Sequence, residues 1–184
     1  MKALIITWEN FQDHEVIYPY YRLDEEGFNV EIMANVTGRI YGILGTNMES
    51  SRTTEELNNP KKYREILDDY DFLVIPGGVK ALEKLRQEEQ VLRFVNEWNQ
   101  RGKVIASTCH GAQLLISSGV VRGREISGYY SIKDDINNAG ATYVDAPAVR
   151  SENIISSPHY KHMGPWMKTS IEVFNTSPDG YRGK

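Results

Sequence analysis

Short apolar runs alternate with longer stretches of helical periodicity along most of the chain. This alternation is typical of βαβ units, in which parallel strands lie side by side in one sheet. The apolar runs predict strands at 3–6, 29–34, 72–75, 142–144, 153–156 and in the run that leads to Cys109. The periodic stretches predict helices at 15–26, 63–67, 114–118, 131–139, about 165–175 and in a region from the Gly-Gly turn at 77–78 to Arg101. We therefore expect an α/β fold with a mostly parallel central sheet.

One segment does not follow this alternation. Residues 37–58 are irregular, polar and rich in glycine and asparagine, which indicates a hairpin or a loop excursion. The chain of 184 residues is otherwise long enough to bury a core in one unit. We expect a single domain over 1–176, followed by a turn-rich, loose tail at 177–184.

Composition narrows the class of protein. Hydrophobic residues make up 40% of the chain and charged residues 25%, which is ordinary for a globular domain, and the net charge of −4 does not suggest a nucleic-acid partner. Trp8 and Glu9 end the first apolar stretch before it reaches the length of a signal peptide core, and no stretch is long enough to span a membrane. With a single cysteine no internal disulfide is possible. We expect a cytoplasmic protein without a membrane partner.

The single cysteine, Cys109, lies where a strand should give way to a helix. The apolar run before it ends in small polar residues, and His110, Gly111 and a helical pattern follow. This order is typical of a nucleophile elbow, a sharp turn that raises a reactive side chain above the sheet edge where ligands bind. A helix N-terminus favours the thiolate, so we expect a reactive cysteine. The alternative is that Cys109 is a small buried hydrophobic residue.

A second strand ends in small residues at the same predicted edge. Gly77 and Gly78 follow Pro76 directly after the apolar run 72–75. The backbone N–H groups after this strand are candidates for an oxyanion pocket facing the sulfur. The plainer alternative is that the paired glycines only make a tight turn.

Together these segments resemble the PfpI family, in the class I glutamine-amidotransferase-like superfamily that also holds the parkinsonism-associated protein deglycase. The matching segments are 4–7, 17–20, 23–27, 72–78, 106–111, 114–117, 119–124, 132–135 and 138–140. The resemblance runs in order through nearly the whole chain to about residue 175. It implies a flavodoxin-like three-layer sandwich, with the cysteine at the elbow.

The resemblance also assigns site residues. Cys109 matches the family nucleophile, and His110 matches the histidine that follows it. In the PfpI branch a glutamate from a neighbouring subunit orients this histidine, and Glu83 is the matching residue, with a length difference of one. The alternative is that Glu83 is a solvated helix charge. The resemblance therefore implies a homo-oligomer, whether dimer, trimer or hexamer.

Gln12 is the main expected departure from the family pattern. The family carries a glutamate here that hydrogen-bonds to the cysteine sulfur and acts as an acid or base. A glutamine would keep a hydrogen-bond donor but could not shuttle protons. Glu9 and Glu15 lie close by in sequence and are alternatives for a carboxyl group at the site.

A second departure lies at 157–162, where relatives often have an arginine and an aspartate. This chain has His159, Lys161 and His162 in that stretch. The segment is expected near the mouth of the site, so this departure predicts a substrate preference that differs from that of relatives. We place Gln12, Tyr129 and His159 in the substrate pocket with the paired glycines Gly77 and Gly78. For His159 and His162 the plainer alternative is a surface position without a catalytic role. His14 is either a residue at the pocket edge or merely exposed on the first helix.

These residues favour a cysteine-dependent enzyme that needs no cofactor or metal and acts on a small carbonyl, amide or carbon–nitrogen substrate. Hydrolase, deglycase and glyoxalase chemistry remain open. An alternative from another class is a redox-sensing, stress-protective protein whose Cys109 is oxidised to sulfenic or sulfinic acid. A third alternative is an enzyme fold that has lost its activity and serves as a scaffold. The chain lacks both the His-x-Glu of glutamine amidotransferases and a His-Glu-x-x-His metal motif.

Overall fold

A seven-stranded sheet forms the centre of the computed structural model, which describes residues 1–177. The strands are β1 (Lys2–Ile6), β2 (Asn29–Ala34), β3 (Gly38–Tyr41), β4 (Asn47–Ser50), β5 (Arg52–Thr53), β6 (Phe72–Ile75), β7 (Val104–Thr108), β8 (Glu125–Ile126), β9 (Thr142–Tyr143), β10 (Val149–Ser151) and β11 (Ile154–Ser157). The order in the main sheet is β10-β11-β7-β6-β1-β2-β5. β10 runs antiparallel to β11, and the other neighbours in this sheet are parallel. The predicted α/β class is confirmed.

Helices cover both faces of this sheet. They are α1 (Asp13–Glu25), α2 (Pro60–Asp69), α3 (Val79–Leu85), α4 (Glu89–Gln100), α5 (Ala112–Ser117), α6 (Lys133–Asn138) and α7 (Met163–Thr176). Side chains alternate along the strands, so Leu4 and Ile6 of β1 join a core with α2 to α6. Ala3 and Ile5 join a second core with α1 and α7. The result is the predicted three-layer sandwich, in which four turns of 3-10 helix lie at 54–58, 109–111, 130–132 and 160–162.

One detail differs from the sequence-based prediction. The helical region that ends at Arg101 is two helices, α3 and α4, separated by a turn at 86–88. Of the two alternatives for 37–58, the structure has the hairpin: β3 and β4 pair antiparallel, and β5 joins the sheet edge beside β2. The hairpin tip is fixed by Asp13, whose carboxylate accepts the N–H groups of Leu44 and Thr46 at 2.8 and 2.9 Å.

Two predictions concern membrane-spanning segments and the C-terminal tail. No helix within residues 1–177 combines the length and the apolar character that crossing a membrane requires. The predicted loose tail lies, from residue 178 onward, outside the described residues.

Candidate active site

Cys109 lies at a sharp bend between β7 and α5, as expected for an elbow. Its φ angle is 56°, in the left-handed region, where a residue with a side chain carries strain of about 1–3 kcal/mol. The chain then passes through the 3-10 turn at 109–111 into α5. Gly111 is required at this bend, because a Cβ there would lie 2.5 Å from the carbonyl oxygen of Ile75. The cysteine thus leaves the centre of the sheet at the edge formed by the carboxyl ends of the parallel strands.

The thiol is more enclosed than a freely exposed nucleophile. Cys109 is 6% exposed and His110 is 7% exposed. Burial, followed by the charge of Glu15, raises the pKa of the Cys109 thiol, although the backbone N–H groups of His110 and Gly78 act in the opposite direction. The ionised sulfur that the sequence predicts stays a prediction: burial opposes the thiolate, and the N–H groups around the sulfur favour it.

Glu15, rather than Gln12, supplies the carboxyl group beside the sulfur. Glu15 is fully buried. A Cβ on Gly77 would lie 2.6 Å from Glu15 Oε1 and 3.1 Å from Cys109 Sγ, so both atoms crowd the same face of that glycine. Burial raises the pKa of Glu15 to about 8, while the Cys109 thiol, the Thr108 hydroxyl and the Gly77 N–H partly favour its charged form. The site therefore contains a titratable carboxyl group.

Gln12 has a different role, and its assignment as the sulfur's partner is wrong. Its Oε1 accepts the N–H groups of His14 at 2.8 Å and Glu15 at 3.4 Å, which makes it the N-cap of α1. Its Nε2 lies 3.2 Å from His14 Nδ1. Because α1 begins at Asp13, Gln12 is its N-cap. The side chain that turns towards the elbow is that of Glu15, three residues beyond the cap.

His110 is held beside the sulfur by a stacked tyrosine. His110 Nδ1 lies 3.4 Å from Cys109 Sγ. The rings of His110 and Tyr129 stack with centroids 4.7 Å apart, and the Tyr129 N–H donates to the Cys109 carbonyl at 3.1 Å. Burial lowers the pKa of His110, so this imidazole is neutral at pH 7 and can accept a proton.

The paired glycines are also forced by close packing. Gly78 has a φ of 108°, and a Cβ there would lie 2.8 Å from the backbone nitrogen of Gln12. The Gly77 carbonyl accepts the Gln12 N–H at 3.2 Å, which holds the turn against the start of α1. The turn therefore has a tight conformation and also directs the Gly78 N–H at Cys109, where it favours the thiolate.

Tyr129 and His159, two other predicted residues, lie near the site. β11 and β7 are parallel neighbours, so His159 leaves the same sheet edge as Cys109. The half-buried Tyr129 separates the rings of His110 and His159, with a centroid distance of 6.0 Å to the latter. Glu83 is exposed on α3 and makes no hydrogen bond to His110 of the same chain. Its predicted role would need a neighbouring subunit.

The surface histidines also connect to this edge. His14, which is exposed on α1, stacks on Tyr160 with centroids 4.7 Å apart. His162 ends the 3-10 turn at 160–162 and caps α7. Within residues 1–177, no three histidine, cysteine, aspartate or glutamate side chains cluster as they would around a metal ion.

An α/β sandwich with a strained elbow cysteine, a neighbouring histidine and a buried glutamate defines the class of the DJ-1-like cysteine proteins. The chain belongs to the DJ-1/PfpI family, whose family model matches residues 1–173. It is similar to the deglycase of Pyrococcus horikoshii, with 39% identity over 94% of this chain and 99% of that protein. Deglycase PfpI of Pyrococcus furiosus is 37% identical over the same shares. The solved DJ-1 of Schizosaccharomyces pombe has the same fold, with a TM-score of 0.83 at 22% identity over 98% of this chain and 95% of that one.

Proposed function

We propose that this chain is a cysteine-dependent, cofactor-free enzyme that cleaves or hydrates small electrophilic carbonyl and carbon–nitrogen compounds. The observation that carries the proposal is the cluster of Cys109, His110 and Glu15 at the strained elbow. Two relatives above 35% identity are named deglycases, which supports release of carbonyl adducts from amines as the leading reaction. Peptide hydrolysis and hydration of glyoxal-type aldehydes use the same first step and are the alternatives.

The first step is attack of Cys109 Sγ on the carbonyl carbon. As the C–S bond forms, the thiol proton passes to His110 Nδ1, 3.4 Å away, in the tautomer that leaves this nitrogen unprotonated. The electron pair of the C=O bond moves to oxygen. Our candidates for holding this oxyanion are the N–H groups of Gly78 and His110, which also favour negative charge on the sulfur.

The second step returns the protons. For a carbon–nitrogen substrate of the amide type, the oxyanion reforms C=O, the C–N bond breaks, and the amine leaves with a proton. Glu15 is a suitable donor because a pKa of about 8 keeps it protonated at pH 7. Water then hydrolyses the thioester: its hydroxyl group bonds to the acyl carbon and its other proton returns to Glu15. The C–S bond breaks, the acid leaves, and the proton held by His110 returns to Cys109 Sγ. A carboxyl group that can both give and take a proton near neutrality suits this cycle.

Replacement of the nucleophile tests the proposal. In Cys109→Ala, turnover of methylglyoxal and of glycated peptides should fall at least about 100-fold, because no covalent intermediate can form. The measurement is kcat/KM against wild type, with circular dichroism to show that the variant folds. A Cys109→Ala variant as active as wild type would contradict covalent catalysis.

The redox-sensing alternative is less favoured by the site. Oxidation of cysteine proceeds through the thiolate. Burial raises the pKa of Cys109 and leaves its side chain almost fully enclosed, which disfavours the reaction of the sulfur with an oxidant from solution. The same features that slow oxidation are compatible with an enzyme that forms its nucleophile on binding.

A further inference from the structure

A chain of aromatic rings leads from the candidate site to the surface. β7 and β11 end together, with Thr108 paired to Ser157, so Cys109 and His159 follow neighbouring strand ends. Beyond His110 and Tyr129, the ring of His159 packs on Tyr160 with centroids 3.9 Å apart. Tyr160 is 38% exposed. His159 therefore lies in the series of ring contacts that runs from His110 to the exposed Tyr160, and we take the surface around His159 as the mouth of the site.

The hydrogen bond made by His159 fixes its orientation. Its Nδ1 accepts the backbone N–H of Lys161 at 3.2 Å, which makes His159 the N-cap of the 3-10 turn at 160–162. A nitrogen that accepts cannot carry the proton, so the neutral ring is protonated at Nε2. His159 thus offers one N–H donor that is not used by the turn.

The basic side chains around His159 are Lys161 and His162 on the same turn and His14 on α1, which packs on the same Tyr160 ring as His159. Lys161 carries the permanent positive charge among them, and no carboxylate is among the charged groups that shift the pKa of His159. The phenol rings of Tyr129, Tyr130 and Tyr160 are the other titratable groups packed against it. The acidic residues of the first turn of α1 are engaged elsewhere: Asp13 holds the β3–β4 hairpin, and Glu15 lies beside the sulfur.

We propose that this mouth selects substrates that carry an anionic group beside the reactive carbonyl, and that His159 Nε2 and Lys161 Nζ bind that group. The inference rests on the proposed function, since the anion is useful only if the carbonyl is delivered to Cys109. A carboxylate and a phosphate share this chemistry. An imidazole N–H and an ammonium group form charge-assisted hydrogen bonds with either one.

Alkylation of the cysteine tests the mouth without any turnover. Iodoacetate and iodoacetamide react alike: the sulfur displaces iodide, a C–S bond forms, and the thiol proton passes to solvent. They differ in charge, and Cys109 is the only cysteine in the sequence. Intact-mass measurement therefore gives a rate for one site. The ratio of the two rates cancels differences in thiol reactivity and access, and glutathione gives the reference ratio.

We expect the ratio of iodoacetate to iodoacetamide rates to exceed that of glutathione by about tenfold, the effect of one charge-assisted hydrogen bond. The ratio should fall most of the way to the reference in His159→Phe and in Lys161→Met. His159→Gln, which restores an N–H donor, should recover part of it. Lys2→Met is the matched control, because it removes the same charge at the opposite edge of the sheet, and it should leave the ratio unchanged. Added salt should lower the ratio.

Substrate pairs then separate the source of the anion. Glyoxylate against methylglyoxal tests a carboxylate, and glyceraldehyde 3-phosphate against glyceraldehyde tests a phosphate; a preference in either pair that is lost in His159→Phe supports the inference. A wild-type alkylation ratio equal to that of glutathione, or one unaffected by both mouth variants, overturns it. If instead Cys109→Ala keeps its turnover, the proposed function fails while the alkylation ratio still reports the charge of the mouth.

Discussion

Glu15 and Cys109 are two acidic groups buried side by side, and their titrations depend on each other. A charged Glu15 raises the pKa of Cys109, whereas the hydrogen bond from the neutral Cys109 thiol lowers the pKa of Glu15. The pair therefore holds at least one proton over the whole neutral range. Such a pair stores a proton beside the reacting atom, next to a histidine that is itself neutral.

Replacing Glu15 by glutamine should make stability less dependent on pH. The folded-state pKa of about 8 is above the unfolded value of 4.5, so the stability contributed by the neutral carboxyl is complete below pH 4.5 and is lost as the pH rises towards 8. Between pH 5 and pH 8, Glu15→Gln should gain a few kcal/mol in free energy of unfolding relative to wild type. Urea unfolding at both pH values measures this gain. The exposed Glu65→Gln should show no trend, and a gain in Glu15→Gln that stays constant with pH would contradict a buried, raised-pKa carboxyl.

Several site residues could be predicted from sequence because their signals are local. Cys109 and the paired glycines follow apolar runs directly, and the strand-end rule places both at one edge. Glu15 could not be assigned, because Gln12 and Glu15 differ by three positions, nearly one helical turn. Which of them faces the elbow depends on where α1 begins. The enclosure of the thiol depends on packing by residues far away in sequence, which no local pattern reports.

At the scale of elements, the end of α2 is satisfied by a buried lysine. Lys103 Nζ donates to the carbonyl oxygens of Leu67 at 2.6 Å and Tyr70 at 2.5 Å, and it lies 4.6 Å from the centroid of the Trp98 ring. Carbonyl groups at a helix C-terminus have no partner within the helix, and a cation there also complements the helix dipole. Lys103 directly precedes β7, so this contact ties α2 to the strand that carries Cys109.

Removing this ammonium group should destabilise the whole domain. Lys103→Met keeps most of the volume but leaves buried carbonyl groups without a donor, which costs about 1–3 kcal/mol. The control variant Lys62→Met replaces an exposed lysine of α2 and should change the free energy of unfolding by less than about 0.5 kcal/mol. Urea midpoints of both variants give the comparison. A Lys103→Met protein as stable as wild type would show that these carbonyls find other donors.

The break between α3 and α4 shows why helix boundaries are harder to predict than strands. Arg86, Gln87 and Glu88 are ordinary helix residues, so propensity alone continues the helix through them. The helical spacing of apolar residues does not continue through them. The positions that would follow Leu85 on the buried face are 88 and 89, and both are glutamates. The structure begins α4 at Glu89 and restores the buried face with Val91 and Phe94. The spacing of apolar residues, rather than helix propensity, therefore marks the break between α3 and α4.

For the whole molecule, the exposed apolar surface is compatible with assembly. Large apolar side chains are exposed on α1 at Tyr18 and Tyr21 and on the hairpin region at Tyr41, Ile43 and Leu44. Glu83 is exposed as well. Within residues 1–177 the side-chain hydrogen-bond partner of His110 is Cys109 Sγ, so the prediction stays that Glu83 acts on His110 of a second copy. The two properties, assembly and the role of Glu83, can therefore be tested together.

Complementation between two variants of reduced activity tests both the assembly and the role of Glu83. In a homo-oligomer, Glu83→Gln should lower kcat at least about tenfold because His110 loses its orienting partner. The control Glu89→Gln on α4 should retain activity. After co-refolding, a Cys109→Ala subunit can supply Glu83 to a Glu83→Gln subunit that still has Cys109, so the mixture should be more active than either variant alone. Gel filtration and turnover are measured on the same samples. A monomer, or a mixture no more active than its parts, would leave Glu83 as a solvated helix charge and restrict catalysis to the groups of a single chain.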